Sequence, residues 1–303
     1  MQRLIRRTRP ADLWTPIGFY RALSPEGPSF PFESVEGEAD LARSSFIGRM
    51  PRCIYRVDGW RMEDRVPEGC RTYDLRRVHP FALWREALEA LTPEAALEPL
   101  PCFIGGLAGY LGYEMAALFD RVPCTPRDAL AFPDAILMQV EALLAFDHVT
   151  QTLSLFALAE PEAEGEAAAR RAALEGRLQD PASASSTITS ASTSGASWET
   201  RAAQACIAVG DAFQIVLARR WGCPIAVLPF VIYWTLQRLN PSPDLFFLHL
   251  LGRRRNGEDL VLISASPEML VRVEGGEAAV RPIAGTRPRS CPLEEDRALG
   301  QEP

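Results

Sequence analysis

MLVRVEGGEAAVRPIAGTRPR, running from Met269 to Arg289, decides the fold class. Apolar and polar residues alternate on both sides of Gly275-Gly276. That is the pattern of two antiparallel strands joined by a two-residue turn. A chain assembled from such hairpins makes antiparallel sheet. The second arm runs into RPIAGTRPR, from Arg281, a Gly- and Pro-punctuated turn carrying three arginines. Such a turn suits an anion, which poses the question of what faces it.

The same signal recurs outward from this stretch. CIYRVDGWRME alternates around Asp58-Gly59, and EALLAFDHVTQTLSLFAL places two apolar runs either side of Asp147 to Thr152. Both read as hairpins. DLFFLHLLG, DLVLISASPEMLVRV and FQIVLARRW read as strands. Helical spacing marks FALWREALEALTPEAAL from Phe81, Trp198 to Val209 ahead of Gly210, and LPFVIYWTLQRL, which Asn240-Pro241 stops. Glu160 to Asp180 is rich in Ala, Glu and Arg and reads as an exposed helix. Pro181 to Ser197 is nearly all Ser, Thr, Ala and Gly. It lacks apolar surface to bury, so it reads as a linker or as a loop insertion within one domain. The expected organisation is an N-terminal region at 1–180, the linker at 181–197, and a second region at 198–303.

Composition narrows the function classes. The chain has 303 residues, 47% hydrophobic and 23% charged, with a net charge of −7. That balance argues against a nucleic-acid footprint, which is a basic patch or stripe. No lysine occurs, so all 32 basic residues are arginine. Schiff-base chemistry and the lysine-dependent phosphate loop are thereby excluded. The seven cysteines are scattered and never spaced CxxC, so neither a disulfide framework nor a zinc site is indicated. The opening MQRLIRRTRP lacks the apolar core of a secretory signal. IGGLAGYLGYEMAALF is broken by four glycines and Glu114, too short and polar to span a bilayer. The expectation is a cytoplasmic protein without membrane or nucleic-acid partners.

Four stretches stand in order: GDAFQIVLARRW, LNPSPDLFFLHL, SASPEMLVRVEGG and RPIAGTRPR. Together they resemble component I of anthranilate synthase, among the chorismate-utilising enzymes. TPIGFYRAL, PFESVEGEADLARSSFIG and GGLAGYLGYEMAALFD look like landmarks of that family's N-terminal half. The resemblance covers nearly the whole chain. It implies an α+β fold of two large, mostly antiparallel sheets packed face to face, with helices outside. The hairpins read from the residues support the antiparallel part alone.

The resemblance also gives individual residues work. Glu268, in SASPE, matches a glutamate placed to protonate the C4 hydroxyl that leaves chorismate. Gln214, in DAFQ, matches a position where water-using relatives carry a lysine base. A glutamine has no basic nitrogen, which favours ammonia as nucleophile. Ala284 stands where aminodeoxychorismate synthases commonly carry a lysine. Its methyl leaves C2 of the substrate open. Gly285 and Thr286 offer a backbone N–H and a hydroxyl to a substrate carboxylate. Without the family context, each of these residues also reads as ordinary strand-end or turn chemistry.

A second constellation concerns feedback by tryptophan. The family's two motifs for that ligand correspond to PFES, which includes Glu33 and Ser34, and to NPSPDLF. The latter supplies Asn240, Pro241, Pro243, Asp244, Leu245 and Phe246. Asp244 and Leu245 depart from the tyrosine and methionine usual there, and the missing aromatic wall weakens indole packing.

The family's C-terminal motifs, including its catalytic histidine and the carboxylates that hold Mg²⁺, are absent from the sequence. His79, His148 and His249 do not match that histidine. The expectation is therefore a truncated component I, inactive alone. Its metal is Mg²⁺ by resemblance, with no ligands of its own. Its partner is a glutamine amidotransferase subunit, anthranilate synthase component II. A non-catalytic tryptophan-binding or assembly module is the alternative from another class. Aminodeoxychorismate synthase component I is an alternative within the first.

Overall fold

Asp58-Gly59 does form a two-residue turn, between strands β4 (Cys53–Asp58) and β5 (Arg61–Val66). Gly59 takes φ +58°, the left-handed region that such a turn requires. The second hairpin also forms, with β9 (Ala142–Asp147) against β10 (Thr152–Ala159), and Asp147 opposite Thr152. The Asp147 carboxylate accepts from the Val149 and Thr150 amides at 2.9 and 3.0 Å and so fixes this turn. The computed structural model describes residues 2–23, 27–33, 43–67, 69–93, 100–122, 132–159, 198–217, 222–250 and 260–280, with isolated positions at 165, 168, 169, 172, 294 and 298. The expected exposed helix at 160–180 lies almost wholly outside the described residues, and the linker at 181–197 lies outside entirely.

Two antiparallel sheets carry the fold. β1 is Arg3–Pro10, β2 Ser29–Glu33, β3 Ser44–Arg49, β11 Asp244–Leu250 and β12 Leu260–Ser266. With β9 and β10 they form a seven-stranded sheet in the order β1-β10-β9-β3-β2-β11-β12. β6 (Gly69–Asp74), β7 (Gly106–Leu111) and β8 (Ala135–Val140) join β4 and β5 in a five-stranded sheet, ordered β6-β5-β4-β8-β7. β11 and β12 follow the Ser/Thr-rich segment in sequence yet pair into the sheet built by β1, β2 and β3. Neither sheet closes on itself.

Face-to-face packing follows from period-two alternation. Phe30, Leu143, Phe156 and Leu248 of the larger sheet meet Ile54, Ile136 and Met138 of the smaller one in a shared core. Helices cover the outer faces. α2 (Pro80–Ala90) lays Trp84 on the smaller sheet, among Cys53, Val57 and Met62. α1 (Pro16–Ala22) is capped by Thr15, whose hydroxyl accepts from the Gly18 amide at 3.1 Å. It packs Phe19 and Tyr20 on the larger sheet. α3 spans Trp198–Ala208 and is followed by Gly210 at φ +86°. α4 (Pro229–Leu239) starts on proline, stops before Pro241, and buries Tyr233 beside Leu245 and Phe247.

Two readings need correction. FQIVLARRW is not a strand over its described part, Phe213 to Leu217. Phe213 and Val216 stand exposed, and no described strand pairs with the segment. β-propensity is a matter of packing against neighbours, and here none is in place among the described residues. The hairpin read at 269–283 forms, and over its described part, Met269 to Val280, it is short. β13 (Arg272–Glu274) and β14 (Glu277–Ala279) pair around Gly275-Gly276, at φ +58° and +83°. Met269 to Val271 stay outside it.

Candidate functional site

Three adjacent strands, β2, β11 and β12, bring Glu33, Asp244, Leu245 and, two residues past β12, Glu268 to one end of the larger sheet. Leu245 lies opposite Glu33 on one side and Ala265 on the other. Asp244 lies opposite Ser266, the last residue of β12. Two residues on, Glu268 sits in a turn, where the Ser266 hydroxyl donates to the Glu268 carbonyl at 3.2 Å. The Glu268 side chain is exposed. A carboxyl held on a turn at a strand end can reach a substrate that docks there.

Glu33 is in a different state. It is only 5% exposed, on the face of the sheet that α4 covers. The Tyr233 phenol donates to Glu33 Oε1. The Gln237 amide donates to Oε2 at 3.1 Å. Burial raises the pKa of this carboxyl above the usual glutamate value, and the two donors pull it part of the way back. The Tyr233 phenol is itself pushed far up, by burial first and then by the Glu33 carboxylate. One turn separates Tyr233 from Gln237 along α4, so both reach the same carboxylate. Neither residue was picked out from sequence. The available signal was a tyrosine on the inward stripe of a helix that precedes the NPSP stretch.

The candidates of the NPSPDLF stretch differ in their surroundings. Asn240 caps α4, its amide donating to the Leu236 carbonyl at 2.8 Å. Asn240, Pro241 and Asp244 are exposed. Leu245 is 1% exposed and belongs to the core. Phe246 points to the opposite face, against the core shared by the two sheets. Pro243 is half-buried. Gln214 is exposed on the segment expected to be a strand. Ser34, Ala284, Gly285 and Thr286 lie outside the described residues.

The histidines belong to other surroundings. His148 Nε2 and Ser45 Oγ share a 2.8 Å hydrogen bond, and burial lowers the pKa of that imidazole. His79 lies tilted against Phe81, and His249 meets Phe247 edge to face. Among the described residues no group of three or more His, Cys, Asp or Glu side chains could hold a metal ion. The residues described do not fit a Mg²⁺ centre by themselves. Nor is any described helix long and apolar enough to cross a membrane.

Residues 60–302 match the model of the chorismate binding enzyme family. The chain belongs to that family. Among its relatives, anthranilate synthase component 1 of Thermus thermophilus is 35% identical over 318 residues, which cover 98% of this chain and 63% of that protein. The protein of the same name from Streptomyces coelicolor is 33% identical, covering 96% of this chain and 56% of its own length. The fold is shared with anthranilate synthase component I from Streptococcus pneumoniae, at a TM-score of 0.65 and 24% identity. That likeness covers 86% of this chain and 56% of the other. This member of the family thus spans about three-fifths of the length of the curated relatives it matches.

Proposed function

We propose that this chain supplies part of an enzyme that converts chorismate and ammonia into anthranilate, pyruvate and water. The family membership supports the substrate, and relatives named anthranilate synthase component 1 support the product. The observation that carries the reading is the exposed Glu268 carboxyl on its turn at the end of β12. Glu268 delivers a proton to the departing C4 hydroxyl while ammonia adds at C2. Loss of the enolpyruvyl side chain as pyruvate then aromatises the ring. Gln214 has no basic nitrogen and leaves water unactivated. Ala284 keeps C2 accessible, and Gly285 and Thr286 hold a carboxylate.

Mg²⁺ is the expected metal of the complete enzyme, and it would neutralise the substrate carboxylates. No step here is routed through it, because the described residues supply no ligand set. Ammonia would come from a glutamine amidotransferase subunit, and the assembly would act in the cytoplasm. The test is product identity, with chorismate, Mg²⁺ and ammonium supplied to a complete assembly containing this chain. Fluorescent anthranilate supports the reading. Aminodeoxychorismate as the end product would overturn it and reassign the role of Ala284.

A second reading, binding of a tryptophan effector, is favoured by one relationship: Glu33 lies opposite Leu245 of the NPSPDLF stretch. The ligand's ammonium would be taken by Glu33 and its indole by the neighbourhood of Asp244 to Phe246. Each carboxylate oxygen has one donor from α4 and keeps a further lone pair with which to accept from the ammonium. Calorimetric titration of the chain with tryptophan tests this, and the absence of binding heat that Glu33→Ala changes would end it.

A further inference from the structure

Where α1 and α4 cover the larger sheet, its face is apolar with one interruption. Leu245 of β11 and Phe146 of β9 belong to that apolar cluster, and Ala265 of β12 packs against it. Between Leu245 and Phe146 stand Glu33, opposite Leu245, and Ser45, opposite Phe146. The pairing of Phe32 with Phe46 makes Ser45 the next position across from Glu33. Two neighbouring polar residues thus break an apolar row, and both are buried.

A buried carboxylate is normally matched by a cation. Among the described residues Glu33 has neutral partners alone, the Tyr233 phenol and the Gln237 amide. Ser45 is engaged with His148, whose charged form burial disfavours. From α1, Tyr20 approaches Tyr233 and bonds the Ser29 hydroxyl, with Arg49 beside it. Arg21 lies over Trp234, and Asp244 is exposed at the start of β11. None of these groups pairs with Glu33. The site lacks a positive charge, and the ionised carboxyl is the form that can receive one.

We propose that effector binding at Glu33 is coupled to a proton: the ammonium of an amino-acid ligand takes the place of the Glu33 proton, and Tyr233 and Gln237 are the positioning residues that hold the carboxylate for it. This rests on the effector reading and concerns the regulation of that site. The ligand's ammonium stays charged throughout, and the proton leaves Glu33 for solvent. Burial favours the protonated carboxyl, whereas the two donors from α4 favour the ionised one. Binding therefore strengthens as pH rises, and the two donors set the pH at which it levels off.

The test is calorimetric titration of the 303-residue chain with tryptophan over a series of pH values above 4.5, beside indolepropionate, which lacks the ammonium. Tryptophan affinity should rise by up to about tenfold per pH unit and then level off, the mark of one released proton. Indolepropionate should show no such rise, and Glu33→Gln should bind tryptophan with a flat profile. Tyr233→Phe and Gln237→Met each remove one donor, so each should move the plateau to higher pH. A residue that only held the fold would weaken binding equally at every pH. Gln237 is half-buried, so its variant carries the test if Tyr233→Phe fails to fold. A flat wild-type profile, or one equally steep in Glu33→Gln, overturns the proposal and leaves the effector reading standing. Variants that keep the wild-type midpoint overturn the positioning role of Tyr233 and Gln237. Absence of tryptophan binding at every pH overturns the proposal and the effector reading together.

Discussion

The phenol of Tyr233 and the carboxylate of Glu33 meet across 200 residues of sequence, and their hydrogen bond ties α4 to β2. Tyr233 has no measurable exposure and Glu33 has 5%. Tyr233→Phe keeps the ring and its packing on Phe230 and Phe247 but leaves Glu33 Oε1 without that donor. A buried acceptor stripped of its partner costs about 1–3 kcal/mol. Urea unfolding of the variant should show that loss as a lower midpoint with an unchanged slope. A midpoint equal to wild type would mean that the bond contributes nothing net.

The same carboxyl predicts a pH dependence. Its folded-state pKa is raised, chiefly by burial, from a starting value of 4.5. A raised folded value means that the folded state holds the proton more tightly than the unfolded state. The stability this contributes is present below the unfolded pKa and is lost as pH rises through the folded one. Glu33→Gln removes the titration. The stability of wild type relative to Glu33→Gln should therefore fall as pH rises above 4.5. The difference matters, because Asp147 and Glu63 have lowered values and act in the opposite sense in both proteins. A difference that is flat with pH would show that Glu33 titrates alike in both states.

Gly109 sets the closeness of β7 to β8. A Cβ built there would lie 1.9 Å from the Ile136 carbonyl oxygen, which is backbone and cannot swing away. Gly109→Ala should cost about 3 kcal/mol or more through forced separation of the strands. Amide exchange at 106–111 reads this directly. Wild-type protection in the variant would show that the strands pair with room to spare.

Asp244 is exposed at the start of β11, whereas Leu245 beside it is buried. On the effector reading, Asp244→Tyr restores an aromatic contact worth about 0.5–1.5 kcal/mol, up to roughly tenfold in tryptophan affinity. Leu245→Met is near volume-conserving and should cost less than about 1.5 kcal/mol of stability. Titration of the double variant should show tighter binding than wild type. Weaker binding would make Asp244 itself a contact for the ligand's ammonium.

Local chemistry was legible in the sequence. Asp58-Gly59, Asp147 and Gly275-Gly276 each mark a turn through groups that act within a few residues, and each turn is found. The pairing of β2 with β11 was not legible, because nothing near Glu33 encodes a partner about two hundred residues away. For the same reason Tyr233 and Gln237 went unnoticed as the donors that hold Glu33. FQIVL misled in the other direction. Its composition suits a strand, but a strand also needs a neighbour to pair with, and among the described residues none is there.

Glu268 is the proposed proton donor of a chorismate-aminating enzyme. Its role is read from anthranilate fluorescence of the complete assembly, wild type against Glu268→Gln, with chorismate, Mg²⁺ and ammonium. An amide of the same size cannot deliver a proton, and general acid catalysis is worth about 10²–10⁴-fold. Glu268→Gln should lose kcat on that scale, with KM for chorismate little changed. Near-normal kcat in Glu268→Gln would contradict it.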